Sequence, residues 1–138
     1  MRQLPIYQFV NQTKGFGELS AAKVIGSASD IGQYRNPACL WKRMGLAVID
    51  GGRQRKVADK EMAILHGYSP QRRSLMYVIG ESLMKAKGPY KDIYDQRKAY
   101  VATRDDNPIT SPIHAQKDAM RYMTKRLLKD MWTEWRRT

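Results

Sequence analysis

"HAQKDAMRYMTKRLLKDMWTEWRR", residues 114–137, is the stretch on which the fold turns. Met120, Met123, Leu127, Met131 and Trp135 recur at spacings of three and four, the period of one face of an α-helix. Arg121, Lys125, Lys129 and Arg136 fall together on a different side. An apolar stripe this long needs partners, so the rest of the chain is read for segments able to cover it.

Helical segments dominate upstream. "LPIYQFVNQT", residues 4–13, sets Leu4, Ile6, Tyr7, Phe9 and Val10 toward one face, with Pro5 tolerated in the first turn. "LSAAKVIGSAS", 19–29, reads as a short helix with small residues for close packing, and Pro37 opens another through "ACLWKRMGL". Ser69 as N-cap and Pro70 at the first helical position start a helix that carries Leu75, Ile79, Leu83 and Ala86 and is expected to stop on a left-handed Gly88 before Pro89. Pro89 begins a further helix with Tyr90, Ile93, Tyr94, Arg97 and Val101 on one face, and "ITSPIHAQ" reads as a linker. The exception is "LAVIDGGRQRKVA", 46–58, where a β-branched run and an Asp-Gly-Gly turn signal a hairpin. The fold class is therefore mainly α: a helix-hairpin-helix unit at about 4–28, one small β-hairpin or basic loop at about 46–58, and a helical part at about 69–137, all within 1–138 as one domain.

Charge limits what the domain is for. Its 25 Lys and Arg against 13 Asp and Glu give a net charge of +12, a self-repulsion that a polyanionic partner, nucleic acid first, would relieve. No run of roughly 18 apolar residues spans a membrane and no signal peptide opens the chain, so a cytoplasmic protein is expected. One cysteine, Cys39, with only His66 and His114 besides, offers neither an internal disulfide nor a zinc spacing.

Three features could carry chemistry. In "KGFGE", Gly15 and Gly17 flank Phe16 between two short helices, a helix-hairpin-helix arrangement whose free amides at the start of the second helix suit a phosphate, with Lys14 and Lys23 adding charge. A plain interhelical turn is the competing reading. Arg53, Arg55 and Lys56 sit on the hairpin, and alternate strand residues face one way, so Arg53 and Arg55 reach one backbone together, unless the run is only a solvated surface. Arg72 and Arg73 occupy the first turn of a helix, where cations oppose the dipole, which implies a ligand or nearby carboxylates. Trp132, Trp135 and the tyrosines at 90, 94 and 100 read as packing. The acidic pairs Asp92 with Asp95 and Asp105 with Asp106 do not make a metal site, and no self-sufficient catalytic centre emerges.

Taken in order, "KGFGELSAAKVIGSASDIGQYRNPACLWKRMGLAV", "DGGRQRK", "GYSPQRRSLMYVIGESLMK", "GPYKDIYDQRKAY" and the terminal helix resemble the C-terminal transposase domain of the Piv-type insertion-sequence transposases, the bridge-RNA-guided DNA recombinases. The resemblance implies a bacterial or phage-encoded, nucleoid-associated protein that binds DNA and structured guide RNA. It also implies a RuvC-like partner whose DEDD carboxylates would hold Mg, since this chain begins past that region and has no cofactor of its own. The family's serine nucleophile lies near the Gly-rich turn, where this chain has Asp50 before Gly51 and Gly52. Ser69 and Ser74 are candidate substitutes, Ser69 being already assigned as an N-cap, and independent cleavage is not expected. DNA binding by Lys14, Gly15, Phe16, Gly17, Lys23, Arg53, Arg55, Lys56, Arg72 and Arg73 is the leading expectation. The alternatives are a serine-recombinase-like module of a split transposase, and a protein-interaction or regulatory module that presents its terminal Met and Trp stripe to a partner or to a second copy.

Overall fold

The structure, a computed structural model, describes residues 4–46, 48–49, 52–53, 69–103 and 112–137. It is mainly α-helical. Helices α1 (Tyr7–Gln12), α2 (Glu18–Ala28) and α3 (Pro37–Arg43) are short, with a single 3-10 turn at Ile31–Gln33 between the last two. Strands β1 (Val48–Ile49) and β2 (Gly52–Arg53) follow, and then the longer α4 (Pro70–Ala86), α5 (Pro89–Thr103) and α6 (Pro112–Arg137). The two strands pair antiparallel, with Val48 opposite Arg53 and Ile49 opposite Gly52, as the hairpin signal at 46–58 requires.

The local signals explain most boundaries. Asn36 caps α3 by accepting from the Cys39 amide, with Pro37 at the first helical position. Ser69 caps α4 by accepting from the Arg72 amide, with Pro70 following it. Helix α3 ends at Arg43 rather than running on through Leu46: the Leu46 amide donates to the Trp41 carbonyl and the Gly45 amide to that of Lys42. This is a Schellman closure around Gly45, at φ +82°. The end of α4 departs from expectation. Lys87, not Gly88, takes the left-handed conformation, at φ 55°, and Gly88 is small because a Cβ there would come within 3.0 Å of the Lys14 Cβ. At its start α6 takes in Pro112, two residues before the expected beginning, using proline where a helix tolerates it best.

Helix α6 is the centre of the packing. At 26 residues it is about 39 Å long and lies against α3, α4, α5 and the 3-10 turn. Met123, Leu127, Leu128 and Met131 are wholly buried, and the buried face also takes in Ala119, Met120 and Thr124. It is wider than the predicted stripe because α6 has neighbours on more than one side. The Thr124 hydroxyl stays satisfied by donating to the Met120 carbonyl. Helix α5 runs antiparallel alongside: the Tyr90 hydroxyl donates to Asp130 at 2.6 Å, while Arg97 pairs with Asp118 at 2.9 Å and lies over the Tyr122 ring. Burial and the Asp130 carboxylate push the Tyr90 hydroxyl well above the ordinary tyrosine pKa.

Two expectations change here. The methionines of the terminal stripe are buried in the core of the chain itself, with Trp132 and Trp135 partly buried at its edge. Of the tyrosines read as packing, Tyr90 and Tyr94 are buried, but Tyr100 is 51% exposed and lies beside Arg97. On α4 the buried line is Met76, Ile79, Gly80 and Leu83, with Leu75 only partly buried at its flank. Cys39 is half-buried.

All three indole N–H groups hold the segment from Asp30 to Trp41 on α6. Trp41 donates to the Lys125 carbonyl at 3.0 Å, Trp132 to the Tyr34 carbonyl at 2.9 Å and Trp135 to the Asp30 carboxylate at 2.9 Å. Replacing Trp41 by Phe keeps most of the ring and removes one such bond. Thermal or urea unfolding of Trp41→Phe should therefore show a loss of about 1 kcal/mol, and an unchanged midpoint would mean that the bond does not hold α3.

Candidate nucleic-acid interface

The Gly-Phe-Gly turn has three residues with three separate jobs. Gly15 adopts φ +90°, and a Cβ on it would lie 2.8 Å from the Ala86 Cβ and 3.0 Å from the Leu83 Cα. It is therefore the point at which the turn lies directly on the last turn of α4. Phe16 is 2% exposed, and its amide already donates to the Thr13 carbonyl. This corrects the expectation that Phe16 faces a ligand: it anchors the turn in the core. Gly17 is exposed, has open space around its Cβ position and is the N-cap of α2 without a side-chain cap bond. The amides of the first turn of α2 thus lack a side-chain cap, and Glu18 sits among them, where its carboxylate complements the helix dipole.

Docking of the turn on α4 gathers charge that is scattered in the sequence. Lys14 is exposed at its tip while its stem lies against Gly88. That arrangement brings it to the end of α4, where Lys85 is exposed in the last turn and Lys87 is exposed in the connection to α5. Lys23 is exposed on α2. Among the described residues, Lys14, Lys23, Lys85 and Lys87 make no ion pair, whereas Lys91 of the same region is paired with Asp95. Lys85 and Lys87 were not singled out from the sequence. Their density in "KAKGPYK" is the available signal, and the seating of Gly15 on Leu83 and Ala86 brings the turn to the end of α4 that carries them.

The two first-turn arginines of α4 have a structural explanation. The Arg72 Nε donates to the Arg43 carbonyl at 2.6 Å, at the exposed C-terminus of α3. Arg43 in turn donates to the Ser27 carbonyl at the end of α2. Each guanidinium thus covers the negative end of the preceding helix, which offsets the unfavourable place of Arg72 at the start of its own. Burial, and then the like charge of Arg43, lower the Arg72 pKa from the ordinary arginine value. Arg73 packs its stem against Gly45. For Arg72 the Arg43 carbonyl supplies a partner within the chain, neither of the two the sequence suggested.

Ser69 is committed as the α4 cap and also donates to Gln71, while Ser74 is exposed on the same helix. Arg53 lies in β2, of which the backbone is described; Arg55, Lys56 and Asp50 fall outside the described residues. Lys125, placed by sequence on the basic side of the terminal helix, lies over the Trp41 ring, and burial lowers its pKa, the nearby Arg121 adding to the effect. Among the described residues no three His, Cys, Asp or Glu side chains gather as metal ligands, and no helix is long and apolar enough to cross a membrane.

Fold and site together define a mainly helical chain in which the turn between α1 and α2 is seated on a longer helix whose end carries lysines. The chain matches no protein-family model, no curated protein and no solved structure.

The two glycines should differ sharply on substitution. Gly15→Ala places a Cβ against α4 in a left-handed conformation and is expected to cost about 2 kcal/mol or more. Gly17→Ala is expected to cost less than about 1 kcal/mol. Equal losses in chemical denaturation would show that the turn is not seated on α4 through Gly15.

Proposed function

We propose that this domain binds nucleic acid, DNA in the first instance, through sequence-independent contact with the phosphate backbone. The observation that carries the reading is the group of exposed lysines, without acidic partners among the described residues, around the Gly-Phe-Gly turn: Lys14, Lys85 and Lys87, in a chain of net charge +12. Lysine ammonium groups on flexible stems serve as adaptable point charges for phosphate, and the start of α2 adds oriented amides beside them. Lys23, Arg53, Arg55 and Lys56 would add further cations to the contact. Gly15 and Phe16 act from beneath by shaping and anchoring the turn.

On this reading the chain is a domain of the transposase type it resembles, which grips DNA or a structured guide RNA and leaves strand cleavage to a carboxylate-bearing, RuvC-like partner. The commitment of Ser69 to capping α4 favours binding over a serine nucleophile at that position.

Labelled duplex DNA and structured RNA titrated at several salt concentrations test the reading. Neutralising about six phosphates implies a roughly thousandfold loss of affinity between about 50 and 200 mM salt. An affinity that is undetectable at low salt, or independent of salt, would end the proposal. A second expectation places the interface. The combined Lys14→Ala, Lys85→Ala and Lys87→Ala variant should fold normally and lower the slope of log affinity against log salt by about one for each phosphate that is no longer neutralised. An unchanged slope would move the interface elsewhere.

A further inference from the structure

The segment that leads into α1 and the last turn of α6 border a cleft of about 460 Å³, within the roughly 300–1,000 Å³ span of small-ligand sites. Leu4, Pro5 and Ile6 make its walls apolar, and Trp135 adds an aromatic ring. Its two charged groups, Asp30 and Arg136, share the cleft without pairing. The Asp30 Oδ1 accepts from the Gly32 amide at 3.0 Å and from the Trp135 indole at 2.9 Å, while Oδ2 has no hydrogen-bond partner among the described residues. Gly32 makes room for that indole, because a Cβ there would lie 2.9 Å from the Trp135 Cδ1. The Arg136 guanidinium lies over the Trp132 ring, 4.9 Å from its centroid. Each charged group is held in place with capacity to spare: Asp30 keeps an oxygen that accepts, and Arg136 a planar fork that donates.

We infer that this cleft receives a guanine base, with N7 and O6 toward Arg136, the N1–H and N2–H side toward the Asp30 Oδ2, and the plane against Trp135. Guanine has the layout that suits both groups. Its two adjacent acceptors are the pair that arginine reads bidentately, and its donors follow along the same ring. Adenine sets an amino donor beside its N7, where it opposes a guanidinium. A bare phosphate is a poorer occupant, since the Asp30 carboxylate repels an anion. The inference goes beyond the backbone reading and stands on other residues: the lysines at the turn are indifferent to the base, whereas this cleft reads one. Pairing in a duplex covers the edge that Asp30 needs, so the base comes from an unpaired position in a strand or from a free guanine nucleotide.

The Trp135 indole N–H and the Gly32 amide report on the cleft directly, because both donate to Asp30. In 15N-labelled protein, guanosine monophosphate should shift these two resonances and leave the Trp41 indole, bonded to the Lys125 carbonyl, in place. The adenosine, cytidine and uridine monophosphates should bind about tenfold more weakly, the discrimination that one bidentate arginine–guanine pair supplies. Silent resonances at millimolar guanosine monophosphate would overturn the inference, as would equal responses to the four nucleotides or to inorganic phosphate alone. Two variants give a second measurement. Asp30→Asn keeps an oxygen for the Gly32 and Trp135 donors but puts an amide nitrogen, which cannot accept, in place of Oδ2; it should fold normally and lose the guanine preference. Arg136→Ala, at an exposed position, should lower guanine affinity about tenfold. Guanine binding equal to that of the parent in both variants would count against the cleft. A thymidine strand carrying one guanine, compared with thymidine alone, separates the sources: tighter binding of the first assigns the base to a strand, and equal binding alongside a response to the nucleotide assigns it to the free nucleotide. Failure of duplex binding at low salt ends the backbone reading, whereas duplex binding without a guanine response ends only this one.

Discussion

Burial of α6 is the constraint on which the other elements depend. The helix presents Met123, Leu127, Leu128 and Met131 to the interior without residual exposure, and each such side chain returned to water would cost about 1.5–3 kcal/mol. Apolar contact alone would let neighbours slide along a greasy stripe. The indole N–H groups of Trp41, Trp132 and Trp135 are directional, and they fix the position of the Asp30–Trp41 segment along the helix. On the opposite flank, the bonds of Tyr90 to Asp130 and of Arg97 to Asp118 set the register of α5.

Helices this short need their ends satisfied, and at two places a helix closes the one before it. Arg43 from the end of α3 covers the end of α2, and Arg72 from the start of α4 covers the end of α3. Tyr34 and Gln33 both donate to the Ala28 carbonyl, finishing α2. Part of the positive charge therefore belongs to architecture. The lysines at the hairpin turn differ because they make no such bonds among the described residues, and that difference directs the functional reading to them.

The Gly-Phe-Gly motif links stability with this surface. Its central ring is core, its first glycine is the seat on α4, and its second is the open start of α2. Without the seat, Lys14 would separate from Lys85 and Lys87 and the fold would loosen. A mutation at Gly15 should therefore affect binding without touching a phosphate.

Much of this organisation was legible in the residues. The period of the terminal stripe, Pro37, Ser69–Pro70 and Pro89 as helix starts, and the Asp-Gly-Gly turn are local signals, and local signals report backbone preference directly. What they could not report was which face meets which neighbour. The position of Arg72 in a first turn looked like evidence for a ligand because the Arg43 carbonyl is 29 residues away in sequence. Phe16 looked available because its neighbours are glycines, although its ring is buried. The sequence by itself determined a mainly helical, strongly basic chain with its turns at fixed places. Only the tertiary structure decided that Gly15 rests on α4, that Lys14 comes to the end of α4 that carries Lys85 and Lys87, and that the Met stripe is interior, because packing joins residues whose separation along the chain carries no local signal.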